Sequence, residues 1–115
     1  MTPKITALAI TLNEENNIER YINSLDFVDE IIIVDSFSSD KTVEIAERLN
    51  AKVYKNTFKD FSSQRNFALS KASNDWVLFF DLDEYITPEL KQEIIENITN
   101  PKSNVAFYFK RQFNF

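Results

Sequence analysis

Residues 30–50 read EIIIVDSFSSDKTVEIAERLN. Ile31, Ile32, Ile33 and Val34 form a continuous apolar run, the pattern of a strand covered on both faces. The run stops at Asp35. A turn that is polar apart from Phe37 follows as far as Lys41, and Val43, Ala46 and Leu49 then recur at helical spacing, with Asp40 placed as the helix cap. A buried strand, a polar turn and an amphipathic helix make up half of a βαβ unit, and repetition of that unit predicts a parallel sheet.

The same alternation runs along the chain. Strands are predicted over 4–12, 30–36, 51–56, 75–81 and 104–113, and Trp76 to Phe80 is a second continuous apolar run. Helices are predicted over 14–25, 41–50, 63–72 and 88–98. The first carries Ile18, Tyr21, Ile22 and Leu25 on one face, with Asn13 as N-cap. The third carries Ala68 and Ala72, capped by Ser62 or Ser63; the fourth opens with Pro88 behind Thr87 and carries Leu90, Ile94 and Ile98. The expected fold class is α/β: one Rossmann-like domain over residues 1–115, with a mostly parallel sheet and helices on both faces. No linker, repeat or low-complexity tract interrupts it.

Three absences narrow the chemistry. Without cysteine there are no disulfides or thiolate ligands, and without histidine no Ser-His-Asp triad or His-ligated zinc. Any metal must then be held by oxygen, which favours hard cations such as Mg²⁺ or Mn²⁺. Without glycine, neither the dinucleotide-binding loop nor the phosphate loop is present. The formal net charge of -5 and the lack of clustered Lys/Arg argue against a nucleic-acid partner. No apolar run approaches the roughly 18 residues of a membrane span, and the N-terminus lacks a signal-peptide pattern, so a soluble intracellular protein is expected.

In doubly wound sheets, ligands bind outside the carboxyl ends of the strands, near the point where strand order reverses. The polar residues there are Thr11, Asn13 and Glu14 after the first strand, Asp35, Ser36, Ser38, Ser39 and Asp40 after the second, and Asp81, Asp83 and Glu84 after the fourth. Asp81 and Asp83 point the same way if extended geometry persists through Leu82. Two carboxylates that close repel unless a cation intervenes, and a divalent ion bridging to phosphates would serve. The competing reading is a solvated turn whose acids favour the dipole of the next helix. The position after a buried strand, opposite Asp35, favours the ligand reading. Asp35 itself is a candidate acceptor for a base N–H. Arg65 is placed in the first turn of its helix, where a cation is disfavoured; an anionic ligand or an ion pair with Asp60 would each account for it. The phenylalanines are mostly core, with Phe58, Phe61 and Phe67 as candidate pocket walls.

Four segments in order carry a family resemblance: ALAITLNEENNIERYINSL (7–25), EIIIVDSFSSDKTVEIA (30–46), SSQRNFAL (62–69) and WVLFFDLDEYITPEL (76–90). They resemble the N-terminal, nucleotide-sugar-binding half of family 2 glycosyltransferases, inverting enzymes of GT-A fold. The form of the second and third segments is closest to the subgroup that builds bacterial lipopolysaccharide core and other cell-surface glycans. The resemblance implies that Thr11, Asn13 and Glu14 border the nucleotide, with Asp35 on the base and Ser36 beside it. It puts Arg65 near the base or diphosphate and Asp81 near the ribose or metal, and has Asp83 hold Mg²⁺ or Mn²⁺. A UDP-sugar donor and a glycan or lipid-linked acceptor follow. So does a cytoplasmic location, extending to the inner face of the cytoplasmic membrane, with peripheral membrane association of a full-length protein.

Two departures stand out. Many relatives have a second Asp and then a Gly where this chain has Ser36 and Phe37. The chain also stops at FKRQFNF, ahead of the acceptor-binding half and the catalytic base that relatives carry, so the base is expected beyond residue 115. The expectation is a donor-binding fragment that binds nucleotide without transferring sugar. Rival folds fit less well. A receiver domain needs paired acids after the first strand, where Asn13 and Glu14 stand, and an acid after the third, where YKNTF has none. A sugar-nucleotide pyrophosphorylase needs a glycine-rich loop. A calcium loop starting at Asp81 has Ile86 and Gln92 where Gly and Glu belong. A non-catalytic interaction module would be told apart by its failure to bind nucleotide.

Overall fold

Strands and helices alternate along the chain because continuous apolar runs and amphipathic stripes do. The computed structural model describes residues 4–99. Its elements are β1 (Ile5–Thr11), α1 (Ile18–Asn23), β2 (Glu30–Asp35), α2 (Thr42–Arg48), β3 (Lys52–Lys55), α3 (Phe61–Lys71), β4 (Trp76–Phe79) and α4 (Pro88–Thr99). The strands form one sheet in the order β3-β2-β1-β4, and every pairing is parallel. Thr11 lies opposite Asp35, and Leu8 lies between Ile32 and Phe79. The chain thus winds outward from β1 through β2 to β3, then returns to place β4 on the other side of β1. The switch point lies between β1 and β4. The fifth predicted strand, 104–113, lies outside the described residues.

Strand alternation divides the core into two layers. Ile5, Ala7 and Ala9 of β1, with Ile33, Leu78 and Phe80, pack against Ile18, Tyr21, Ala46, Ile94 and Ile98 from α1, α2 and α4. Leu8, Ile32, Val34 and Phe79 pack on the opposite face with Ala68 of α3. Helices therefore cover both faces of the sheet, which is why the central strands are largely apolar.

The helix starts differ from the predicted ones in instructive ways. α1 begins at Ile18, after a turn in which the N–H groups of Asn17 and Ile18 both donate to the Glu14 carbonyl. Asn13 is not its N-cap and takes a left-handed φ of 54°. α2 begins at Thr42 with Lys41, not the predicted Asp40, at the N-cap position and no side-chain cap; Asp40, one residue earlier, accepts from the Thr42 N–H through Oδ1 at 2.9 Å. α3 is capped by Asp60, not by Ser62 or Ser63: Asp60 Oδ1 accepts from the Ser63 N–H at 2.7 Å. α4 opens at Pro88, with Thr87 Oγ1 accepting from the Leu90 N–H at 3.2 Å, as predicted.

At the amino edge of the sheet the strands are tied by one carboxylate. Glu30 Oε1 accepts from Thr6 Oγ1 at 2.8 Å and from the Ser73 N–H at 2.9 Å. Glu30 Oε2 accepts from Lys52 Nζ at 2.7 Å and from Ser73 Oγ at 2.9 Å. Those partners belong to β1, to β3 and to the segment entering β4. The Glu30 side chain is only 7% exposed. Burial alone would raise its pKa, but the Lys52, Ser73 and Thr6 hydrogen bonds together bring it down from 4.5 to about 2. A depressed folded pKa stabilises the fold above the unfolded pKa, and that contribution is lost as pH falls through the folded one. We predict that Glu30→Gln costs about 2 kcal/mol at pH 7, a value discounted for the exposure of Lys52. In urea titrations the gap between wild type and variant should close as pH falls from about 4.5 toward 2. A gap that is independent of pH would contradict the assignment.

Candidate functional site

The loops after β1 and β2 are laced together at the carboxyl edge. Asp35 is fully buried at 0% exposure. Its Oδ2 accepts from the Ser38 N–H at 2.7 Å and its Oδ1 from Ser38 Oγ at 2.5 Å. Ser38 Oγ in turn accepts from the Asn13 N–H at 2.8 Å, and Asn13 Oδ1 accepts from the Ser39 N–H at 2.8 Å. The Glu14 N–H donates to Thr42 Oγ1 at 2.8 Å, and the Glu15 N–H to Asp40 Oδ2 at 3.2 Å. Hydrogen bonding lowers the Asp40 pKa against the opposing effect of desolvation, through Thr42 and the Glu15 N–H. Sequence reasoning expected Asp35 to accept from a base. In the structure both of its oxygens accept from Ser38 and shape the loop.

Two of these loop positions, Asn13 at φ 54° and Phe37 at φ 62°, lie in the left-handed region. Asn tolerates it; a bulky aromatic pays a steric cost of order 1–2 kcal/mol. Phe37 is 58% exposed.

Thr11, at the end of β1, is 2% exposed, and its Oγ1 has no hydrogen-bond partner among the described residues. Its carbonyl accepts from the Ser36 N–H at 2.9 Å. On the other face of the sheet, α3 supplies Gln64 and Arg65. Gln64 is 1% exposed and bonded to Ser36 and Asn56. Arg65 lies in the second turn of α3, not the first, because the helix begins at Phe61. Its guanidinium sits 5.3 Å from the centroid of the Phe79 ring, and its Nε is buried with no acceptor among the described residues. Asp60 caps the helix, and no ion pair joins it to Arg65. Sequence reasoning missed Gln64, although the spacing of Gln64, Ala68 and Ala72 marks one inward helix face.

Beyond β4 the chain turns, with the Glu84 N–H donating to the Asp81 carbonyl at 3.0 Å. Extended geometry does not persist through Leu82, so strand alternation is not what brings Asp81 and Asp83 together. The turn does so, and it adds Glu84: one carboxylate oxygen from each of the three lies within 4.8 Å of the others. Glu84 Oε1 accepts from the Asp81 N–H at 3.1 Å. Desolvation raises the Glu84 pKa, the Asp81 N–H opposes this, and the charges of Asp81 and Asp83 raise it further. Beneath the turn, burial and the charges of Asp81 and Glu84 push the Tyr21 phenol far above its ordinary value. Its hydroxyl donates to the Leu8 carbonyl at 3.1 Å. Arg20 offers partial compensation: its Nη2 donates to the Asp83 carbonyl at 3.3 Å, and its guanidinium stacks 4.7 Å from the Tyr85 ring centroid. An all-oxygen group carrying this much negative charge fits a hard divalent cation.

Residues 6–114 match the family model described as glycosyl transferase family 2. The chain belongs to that family. It is 48% identical over 95 residues to an uncharacterized glycosyltransferase of Rickettsia bellii, a match covering 82% of this chain and 32% of the relative. It is 36% identical over 100 residues to the glycosyltransferase SunS of Bacillus phage SPbeta, covering 81% of this chain and 23% of that protein. Among solved structures, S. aureus TarS 1–349 superimposes with a TM-score of 0.69 at 33% identity, covering 82% of this chain and 32% of TarS. Glucosyl-3-phosphoglycerate synthase of Mycobacterium tuberculosis does so with a TM-score of 0.70 at 27% identity, covering 84% and 40%. The fold is the GT-A fold of these glycosyltransferases. The chain spans about a third of the length of the Rickettsia relatives it matches, 32% in the case of R. bellii.

The strain at Phe37 has a direct test. Phe37→Gly should raise stability by about 0.5–1 kcal/mol, since relief at positive φ outweighs the added unfolded-state entropy. Phe37→Ala keeps the Cβ and should bring no gain. Equal gains in the two variants, measured by chemical denaturation, would show that exposure of the ring and not the backbone is the source.

Proposed function

We propose that this chain is the donor-binding part of an inverting glycosyltransferase that takes its sugar from a nucleoside-diphosphate sugar, with UDP the favoured carrier. Two observations support the reading: a three-carboxylate turn follows β4 beside the switch point of a GT-A sheet, and two buried polar groups have no hydrogen-bond partner among the described residues. Those groups are the Thr11 hydroxyl and Arg65 Nε. Buried polar atoms are nearly always hydrogen-bonded, so each of these groups is a candidate to meet a ligand's polar atom. Two solved neighbours were crystallised with such ligands: the mycobacterial synthase with Mn²⁺ and UDP, and TarS with UDP-GlcNAc.

Each residue has a distinct task in this reading. Asp83 and Asp81, joined by Glu84, would hold Mg²⁺ or Mn²⁺, which supplies electrostatic stabilisation to the departing diphosphate. Arg65, laid on the Phe79 ring, presents a cation of fixed orientation to the base or diphosphate. Thr11, Asn13 and Glu14 border the nucleotide. Asp35 acts there by fixing the loop that carries Ser36. The acceptor is proposed to be a glycan or lipid-linked saccharide of bacterial cell-surface or lipopolysaccharide synthesis, handled on the cytoplasmic side of the membrane. Peripheral association is the mode of membrane contact proposed for the whole protein; among the described residues no helix is long and apolar enough to cross a membrane. None of the described residues is assigned the deprotonation of the acceptor.

Calorimetric titration of UDP into this chain, with and without Mn²⁺, tests the reading. UDP should bind at least tenfold more tightly with Mn²⁺, and Asp83→Ala should abolish that gain while leaving the fold intact by circular dichroism. Mn²⁺-independent binding, or an Asp83→Ala variant that keeps the gain, would contradict it.

A further inference from the structure

Three like charges crowd the turn after β4, and much of what holds that turn in place comes from α1. Leu82 and Ile86 are buried in the core layer that contains Ile18, Tyr21 and Ile22, so the turn is pinned on its apolar side. On its polar side it meets Arg20 and Ser24, which stand four residues apart and so share one flank of the helix. Ser24 Oγ accepts from the Ile86 N–H at 3.2 Å and donates to the Tyr21 carbonyl at 2.8 Å. Arg20 Nη2 donates to the Asp83 carbonyl at 3.3 Å, and the guanidinium lies 4.7 Å from the Tyr85 ring centroid. Arg20 thus touches the residues before and after Glu84.

The manner of contact matters. Arg20 is exposed, and among the described residues no ion pair joins it to a carboxylate. Its partner is the carbonyl of the peptide that links Asp83 to Glu84, whose orientation follows the backbone dihedrals of both acids. Asn17 steadies the guanidinium from the side of α1: its Oδ1 accepts from Arg20 Nη2 at a long 3.5 Å, while its Nδ2 donates to Glu14 Oε1 at 2.9 Å. The orientation of that amide is set by its neighbours, since a guanidinium only donates and a carboxylate only accepts. A cation that stands clear of the carboxylates leaves their oxygens open to a metal, while its hold on the carbonyl restrains the peptide that carries them.

We infer that Arg20 is a positioning residue for the cation site, fixing the Asp83–Glu84 peptide so that the carboxylates of the turn converge on a divalent ion. The inference rests on the metal-binding reading above and adds to it a residue that supplies no ligand atom. A cation beside acids can act in two ways that are separable. As a counter-charge, Arg20 would ease the repulsion among the acids, and any side chain of equal charge would replace it. As a clamp, it depends on a flat guanidinium laid against Tyr85, which lysine does not reproduce.

Mn²⁺ uptake by this chain at saturating UDP, followed through the electron paramagnetic resonance of free Mn²⁺, tests the clamp without any measurement of turnover. Arg20→Lys and Tyr85→Ala both leave the charge of the region unchanged. Each should weaken Mn²⁺ binding roughly fivefold, the size of one exposed charge-assisted hydrogen bond with its stacking contact. In the double variant the losses should not add, because both substitutions break the same contact. Tyr85→Phe keeps the ring and should bind as the wild type does. Both positions are exposed, so urea midpoints should move little in any variant. Unchanged Mn²⁺ affinity in Arg20→Lys, or losses that add in the double variant, would overturn the inference while the loss of the ion in Asp83→Ala keeps the metal reading standing. A fall in stability with no fall in Mn²⁺ affinity would make Arg20 structural only and overturn it as well. Wild type that takes up no Mn²⁺ would overturn both.

Discussion

The Asp35 carboxylate is the group on which the carboxyl edge of this sheet depends. The chain contains no glycine, so its loops cannot take tight turns freely and are shaped by side-chain hydrogen bonds. Asp35 is buried and bonded to Ser38, Ser38 holds the Asn13 backbone, and Asn13 holds Ser39. Removing that carboxylate would leave the Ser38 N–H unpaired and release Phe37 from a backbone conformation it adopts only under constraint. The loops after β1 and β2 stand as one unit because of this chain of bonds.

The rest of the site follows from parity along the strands. Asp35 and Ser36 are consecutive and so face opposite sides of the sheet. One side receives a structural lock and the other a polar group open to a ligand, with Gln64 and Arg65 delivered to it by α3. The acids past β4 are gathered by a turn at the switch point, where like charges accumulate at some cost to the fold. The Glu30 knot at the amino edge, far from any ligand position in this fold, holds β1, β2, β3 and the entry to β4 in register.

Much of this was legible in the sequence, for physical reasons that also mark its limits. The apolar runs at Ile31–Val34 and Trp76–Phe80 and the helical stripes specified strand and helix order, and Pro88 behind Thr87 marked the start of α4. Caps were harder, because several Ser, Asn and Asp residues stood within reach of each helix start. Only the three-dimensional path shows that Asp60 serves α3 and that Asn13 is spent on the neighbouring loop. The grouping of Asp81 and Asp83 was anticipated through strand alternation, whereas a turn produces it and brings Glu84 along. Gln64 was passed over because a glutamine on an inward face carries no motif, though its spacing from Ala68 would have flagged a buried amide in need of partners.

The account's central claim is that the carboxylate turn and the Ser36 edge belong to one nucleotide-diphosphate site. A crystal structure of the chain with UDP and Mn²⁺, with the cation located by anomalous scattering at the manganese edge, tests it most directly. The account predicts a manganese peak in coordination contact with Asp83 and a diphosphate oxygen, with the base against Ser36. Manganese bound away from residues 81–84, or UDP seated anywhere other than the carboxyl edge, would contradict it.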